Sequence, residues 1–294
     1  MFSFRVGRDQ PESGLLPFNC KFEDAMNLSD LCHLRRECAQ TVLRLYHRAH
    51  AGHIGSSLSC LEILIDLYFQ RMRAGDYCIL SKGHAAAGLY TVLAKSGRMD
   101  PQELDTFYKD GTRLAAHPPC NGEISGIPFG TGSLGHGLSL AAGIAFSQRY
   151  TGRSFHVYCV LSDGDCNEGS TWEAALFAKQ HALTNLTVVV DANGLQGFGA
   201  TCDVCGLEPL EDKWRSFGFE TRVAEHGNVF AELDSAHQAV ALAAQNSNGP
   251  QCIIARTIKG HGVSYMENRM EWHYLPMSEE QYQLAIKETE QAHA

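Results

Sequence analysis

The sequence predicts an α/β domain, with a mostly parallel sheet covered by helices on both faces. Three observations support this. From Phe155 onward, short apolar runs alternate with helical patterns. Those runs are near-continuous rather than alternating, as strands buried on both sides require. No internal repeat, low-complexity tract or linker divides the 294 residues, so one large domain accounts for the chain.

The elements follow in order. Residues 1–20, with Pro11, Gly14 and Pro17 and no periodicity, read as an irregular leader, and residues 21–294 as the domain. A helical pattern covers about 25–49 and ends at the glycine-bearing AHAGHIGSS. A second apolar helix is expected over about 58–71. Residues 77–80 read as a short strand ending at Ser81-Lys-Gly-His84, where another helix begins. Asp100-Pro-Gln-Glu103 carries the signs of a helix start: an acidic cap, proline in the first turn and glutamate three positions on. Phe155–Leu161 (FHVYCVL) and residues 185–193 (NLTVVVDAN) are strand candidates around a helix over 171–181. Residues 217–223 and 251–257 read as further strands, separated by a helix near 229–245. Ser278 opens a last helix, with Gln281 as its capping-box partner.

Composition narrows the function. A net charge of −9 and a pI near 5.8 argue against a nucleic-acid or anionic-membrane surface. The start lacks a secretory signal, and the most apolar run, 61–69, contains Glu62 and Asp66, so no transmembrane helix is expected. Eleven cysteines at irregular spacing suit reduced thiols in a cytoplasm better than a disulfide framework. Cys202-Asp-Val-Cys205 is the one CxxC. No second pair completes a zinc set, so plain loop cysteines are the simpler reading.

Ligands of parallel α/β sheets sit beyond the carboxyl ends of strands. Two such ends, Ser162-Asp-Gly-Asp165 and Asp191-Ala-Asn193, carry hard oxygen donors. Neighbouring strands joined by one helix would bring Asp163 and Asn193 together. With a main-chain carbonyl such as Leu195 and phosphate oxygens, they suit magnesium, which takes few protein carboxylates. Gly164 lets the chain pass close to a phosphate. Loop capping explains either residue alone, since Asp and Asn are common in turns; the pair at this spacing favours function. Two decoys fail. An EF-hand reading from Asp163 needs glycine and glutamate where Glu168 and Ala174 stand. Gly130-Thr-Gly132-Ser-Leu-Gly135 matches GxGxxG, but a poor strand precedes it and no acidic residue follows about twenty positions later.

The spacing from Asp163 to Asn193 resembles the thiamine diphosphate motif. Around it AGHIGSSLS, ILSKGHAAAGLY, GTGSLGHGLSLAAG, SDGDCNEGSTWEA, VVVDANGLQGFG and IIARTIKGHGVSYMENRMEWH resemble the N-terminal, diphosphate-binding subunit of a split transketolase. The resemblance implies the thiamine diphosphate-binding fold, with thiamine diphosphate and Mg2+ as cofactors. Asp163, Asn193 and the carbonyl of Leu195 would hold the metal, and Gly164 and Asp165 would lie at the diphosphate. His84 would lie beside the cofactor, Gly132, Ser133 and Leu134 would line its passage, and Glu168, also counted with the cofactor, would sit at the subunit interface near the buried carboxylates that link paired active sites. His53, His117 and His273 would face substrate or diphosphate, as imidazoles suited to moving protons near neutral pH. His47 and His50 precede His53 at spacings of three, but Gly52 breaks the helix, so His53 alone is taken as functional. Arg256, Lys259 and His261 read as ordinary solvated charges.

The chain departs from the family at Ser162, His136, Gly197-Phe198 and Glu225–Asn228. None of these removes a metal ligand. The family's activating glutamate belongs to a pyrimidine-binding domain for which the sequence after the last helix leaves no room. A C-terminal transketolase-like subunit carrying that glutamate is therefore the expected partner, in an α2β2 assembly. The implied reaction moves a two-carbon ketol unit from a ketose phosphate to an aldehyde. Transfer to a lipoyl or acyl carrier protein, or a non-catalytic scaffold role, stays open at this point.

Overall fold

The computed structural model describes residues 26–119, 124–245 and 247–291. The expected leader lies outside them. The chain runs α1 (Leu28–Ala49), α2 (Ile54–Ser59), α3 (Leu61–Asp66), β1 (Tyr77–Leu80), α4 (Ala86–Lys95), α5 (Gly137–Thr151) and β2 (Val157–Ser162). It continues with α6 (Gly169–Gln180), β3 (Leu186–Ala192), a small hairpin of β4 (Leu195–Gln196) and β5 (Gly199–Ala200), α7 (Thr201–Cys205) and α8 (Leu210–Ser216). The last elements are β6 (Glu220–Ala224), α9 (Phe230–Ala244), β7 (Gln251–Arg256) and α10 (Glu279–Gln291).

Five strands form one sheet in the order β1-β2-β3-β7-β6, and every pairing in it is parallel. Alternate strand residues enter two separate cores, which is why the runs are apolar throughout. Tyr158, Val160, Val189 and Ile253 join the helices α1 to α4 and α9 on one face. Cys159, Leu161, Val188, Val190 and Ile254 join α5, α6 and α8 on the other. The expected two-sided α/β sheet is what forms.

Several elements start where the sequence placed them, for local reasons. Asn27 Oδ1 caps α1 by accepting from Asp30 N at 3.0 Å. Ser278 and Gln281 exchange their capping-box bonds, at 2.9 and 3.2 Å, ahead of α10. Others differ. The helix expected over 58–71 breaks at Cys60 into α2, α3 and a π-helical turn, Leu67–Arg71. Asp100 caps only a short 3-10 run, Pro101–Thr106. Helix α5 falls outside the expectations, although Leu138, Ala141, Ala142 and Ala145 are buried at helical spacing; the glycines just before it obscure the start.

Register positions the site. Ser162 pairs with Asp191 in the β2–β3 ladder, and Asp191 pairs with Ala255 in the β3–β7 ladder. The three central strands thus end at one level. Their next residues, Asp163, Asn193 and Thr257, leave the sheet side by side. Among the described residues no helix is long and apolar enough to cross a membrane.

Candidate functional site

A cavity of about 300 Å³ opens at these strand ends. It is lined by Asp163, Gly164, Asn193 and Leu195, by His53, His84, His117 and His273, and by Leu134, Glu168, Lys259 and Tyr274, among others.

Asp163 is buried at the tip of β2. Its Oδ2 accepts from Thr201 Oγ1 at 2.7 Å and its Oδ1 from Gly164 N at 3.1 Å. Burial, with Asp191 nearby adding to it, pushes its carboxyl above the ordinary range. Asn193 is buried beyond β3. Its Oδ1 accepts from Leu195 N at 3.1 Å, and its Nδ2 donates to Asp191 Oδ2 at 3.3 Å. The donors assembled here are a carboxylate, an amide oxygen and the Leu195 carbonyl. They are oxygen only, with one negative charge that burial leaves poorly compensated. A hard divalent cation suits such a set. Beside it Gly164 leaves a cradle that a side chain would fill, since a Cβ there would meet Leu134 Cδ1 at 2.9 Å. Among the described residues no three His, Cys, Asp or Glu side chains converge as a metal cluster.

Behind the tips lies a support that the sequence reading did not identify. Lys82 and Asp191 form an ion pair and are both fully buried. Asp191 also accepts from Ser59 Oγ at 2.6 Å and from Thr257 Oγ1. Lys82 Nζ donates to Ser56 O at 3.0 Å. Burial alone would depress the Lys82 ammonium, but Asp191 outweighs it and holds the ammonium above its usual value. This pair locks the loop after β1 to the end of β3.

The four histidines meet although their positions span 53 to 273. Ring centroids are 5.6 Å apart for His53–His84, 5.8 Å for His53–His117, 5.0 Å for His53–His273 and 5.4 Å for His84–His273. Burial lowers all four pKa values, to about 4 for His53 and about 3 for His273, with Lys259 adding to both. The rings are neutral at pH 7, so each offers one donor and one acceptor. His53 has a left-handed backbone (φ 75°) and donates its N–H to His273 O at 3.0 Å. Gly52 before it must be glycine, because a Cβ would lie 2.5 Å from Tyr274 O. His47 instead pairs with Glu279 at 3.2 Å and stacks on Tyr282, so no three-histidine face forms.

Lys259 overturns its sequence reading as a solvated charge. It is 1% exposed, with Nζ 3.2 Å from Leu195 O and 3.1 Å from His273 Nδ1. Burial, with Lys82 adding to it, lowers its pKa to about 8. It is still mostly protonated at pH 7 and must donate, so His273 Nδ1 accepts and the ring's proton is assigned to Nε2. The signal was available in IKGHG, directly after a strand end, but nothing in the sequence showed that β7 would lie beside β3.

Of the residues expected at the cofactor, Asp165, Gly132 and Ser133 do not line the cavity, and Glu168 lines it at the rim. Asp165 is buried behind the cavity. Its carboxylate accepts from Ser81 Oγ (2.6 Å), Gly135 N (2.8 Å), Ser162 N (2.8 Å) and Ser162 Oγ (2.9 Å). With its lone pairs used inside the chain, it braces the loop. Gly132 and Ser133 are exposed on the loop that carries Leu134 into the cavity, with Gly132 close to His117. Glu168 stands exposed at the rim.

Comparison with known proteins gives consistent matches. The family model "Transketolase, thiamine diphosphate binding domain" matches residues 40–291. The chain is 35% identical over 256 residues to an apulose-4-phosphate transketolase subunit of Phocaeicola vulgatus, covering 84% of this chain and 89% of that protein. It is 35% identical over 270 residues to 6-deoxy-6-sulfo-D-fructose transketolase subunit SqwG of Clostridium sp. strain MSTE9, covering 89% and 96%. The crystal structure of a transketolase from Campylobacter jejuni superimposes with a TM-score of 0.78 at 25% identity. That match covers 90% of this chain but only 43% of the other.

Proposed function

The chain belongs to the transketolase thiamine diphosphate-binding family, and from that premise we propose that it is the diphosphate-binding subunit of a two-chain transketolase. It moves a two-carbon ketol unit from a ketose phosphate to an aldehyde. The partner is a C-terminal subunit that supplies the pyrimidine-binding domain, two copies of each chain form the assembly, and the enzyme is cytoplasmic. Similarity to relatives that are themselves named as single subunits of transketolases favours this over delivery to a lipoyl or acyl carrier protein and over a scaffold role.

The observation that carries the reading is the juxtaposition of a buried, under-compensated Asp163, Asn193 and the Leu195 carbonyl with four neutral histidines in one cavity. Asp163, Asn193 and Leu195 O would hold Mg2+. Gly164 and Lys259 would face the diphosphate, Lys259 offering its charge at the anion. Thiamine diphosphate, when bound, supplies the electron sink for the two-carbon unit. This chain's residues bind, orient and move protons around it. His53 and His117 would present N–H and lone pairs to substrate or diphosphate, His273 would present its N–H, and His84 would lie beside the cofactor; burial keeps all four neutral for that exchange. The bond from Lys259 to Nδ1 leaves His273 with Nε2–H as its donor. Lys82 and Asp191 keep the strand tips in register behind them.

Calorimetry of thiamine diphosphate with Mg2+ tests the site. Wild type should bind and Asp163→Ala should not. Ketol transfer should require the partner chain; robust turnover by this chain alone would refute the two-chain reading.

A further inference from the structure

Cys202 and Cys205 stand apart from the other described thiols. Cys38, Cys60, Cys78, Cys159, Cys166 and Cys252 are buried, and burial pushes the first three up to about 12, which leaves such thiols unreactive. Cys202 and Cys205 are free and exposed. They lie three residues apart on the single-turn helix α7, so their side chains share a face. That helix is tied to the candidate metal site. Thr201 Oγ1 bonds Asp163 Oδ2 at 2.7 Å, Thr201 N bonds Gly194 O at 2.8 Å, and Asn167 Nδ2 holds Cys205 O at 3.0 Å. Cys202 also lines a second cavity of about 320 Å³, together with Asp163, Thr201, Glu208 and Arg256. A small reagent has room to reach its sulfur.

We propose that Cys202 and Cys205 form a thiol modification site whose co-reactant is a small-molecule disulfide. One cysteine thiolate attacks a sulfur of that disulfide. The small molecule's S–S bond breaks, one small thiolate leaves and a mixed disulfide forms. The second cysteine thiolate then attacks the protein-bound sulfur, closing the Cys202–Cys205 bond and expelling the second small thiolate. The two cysteines lose two electrons, the small disulfide gains them, and the two cysteine protons end on the two released thiols.

Closing the bond has a structural consequence. Side chains three apart on a helix have Cβ atoms about 5–6 Å apart, whereas a disulfide requires about 3.5–4.5 Å. Helix α7 must therefore tighten by on the order of 1 Å, and the displacement falls on Thr201, which adjoins Cys202 and holds Asp163. Oxidation reaches the cation site through one hydroxyl.

The test uses the full chain equilibrated over a series of oxidised-to-reduced glutathione ratios, with free thiols then trapped by N-ethylmaleimide and the digest weighed. The expected result is a peptide carrying both cysteines lighter by two hydrogens and unalkylated, reversed by dithiothreitol, with the six buried thiols unchanged. Cys202→Ser and Cys205→Ser should each retain a glutathione adduct instead. Persistent adducts on both wild-type cysteines, or both thiols staying free across the series, would overturn the proposal. Amide exchange reads the coupling without any cofactor: the Thr201 N–H should exchange about tenfold faster in the oxidised chain. Equal exchange in the two forms would sink the link to Asp163. Neither readout depends on thiamine diphosphate, so a failure here is distinct from a failure of the proposed function.

Discussion

Thr201 Oγ1 donates to Asp163 Oδ2 at 2.7 Å, so the first residue of α7 fixes the orientation of the carboxylate at the tip of β2. Hydrogen-bond partners that orient a metal-binding group typically contribute 10–100-fold to affinity. Thr201→Val keeps the shape and removes the donor. It should weaken Mg2+-dependent thiamine diphosphate binding by about 10–100-fold, measured by calorimetry, while Thr201→Ser should stay near wild type. Equal affinities for the valine and serine variants would argue against this orienting role.

The Lys82–Asp191 pair should matter chiefly for folding. Removing one partner strands a charge in the interior, which costs about 3–5 kcal/mol. Lys82→Met should therefore lower the denaturant midpoint markedly. Adding Asp191→Leu should recover much of the loss, because the second charge goes too. A double variant as unstable as the single one would show that Asp191 matters through Ser59 and Thr257 instead.

Lys259→Met keeps the buried stem and deletes the ammonium. Hydrogen bonds to charged groups contribute about 1.5–3 kcal/mol, so thiamine diphosphate binding should weaken by about 10–100-fold. The folded chain should stay intact, because among the described residues the Lys259 ammonium donates to just Leu195 O and His273 Nδ1. Unchanged affinity, read by titration, would remove Lys259 from the anion site.

The histidine cluster predicts acid sensitivity. Burial, with His117 adding for His53 and Lys259 for both, lowers the folded pKa to about 4 for His53 and about 3 for His273, from an ordinary value of 6.5. As pH falls below about 6.5 the unfolded chain takes up protons that the folded chain refuses. The stability contributed is full above that value and is lost as pH drops through the folded values. Denaturant midpoints should fall between pH 7 and 4, and His53→Gln should flatten that dependence. A wild-type slope that persists in the variant would place the titrating group elsewhere.

Gly52→Ala tests the packing that sets His53. The added Cβ would lie 2.5 Å from Tyr274 O, a backbone atom that cannot rotate away. Overpacking of this kind costs about 1–3 kcal/mol and should move His53 relative to His273. A lowered melting midpoint with weakened substrate binding is the expected pair of results, and a variant as stable as wild type would contradict it.

Local chemistry alone made much of this protein legible. Continuous apolar runs announced strands buried on both faces, and the capping box at Ser278 lies in the chain next to the helix it starts. Asp163 and Asn193 were visible because each directly follows a strand, a relation that needs no knowledge of neighbours. Tertiary structure decided what depends on strand order. After β3 the chain passes over one position to build β6 at the edge, then returns as β7 between them; only that placement puts Lys259 against Leu195 and His273. Asp165 likewise owes its surroundings to the fold, which gives its carboxylate donors from Ser81, Gly135 and Ser162. Burial and charge partners are properties of the assembled chain, because dielectric surroundings and through-space distances are set by residues far away in sequence.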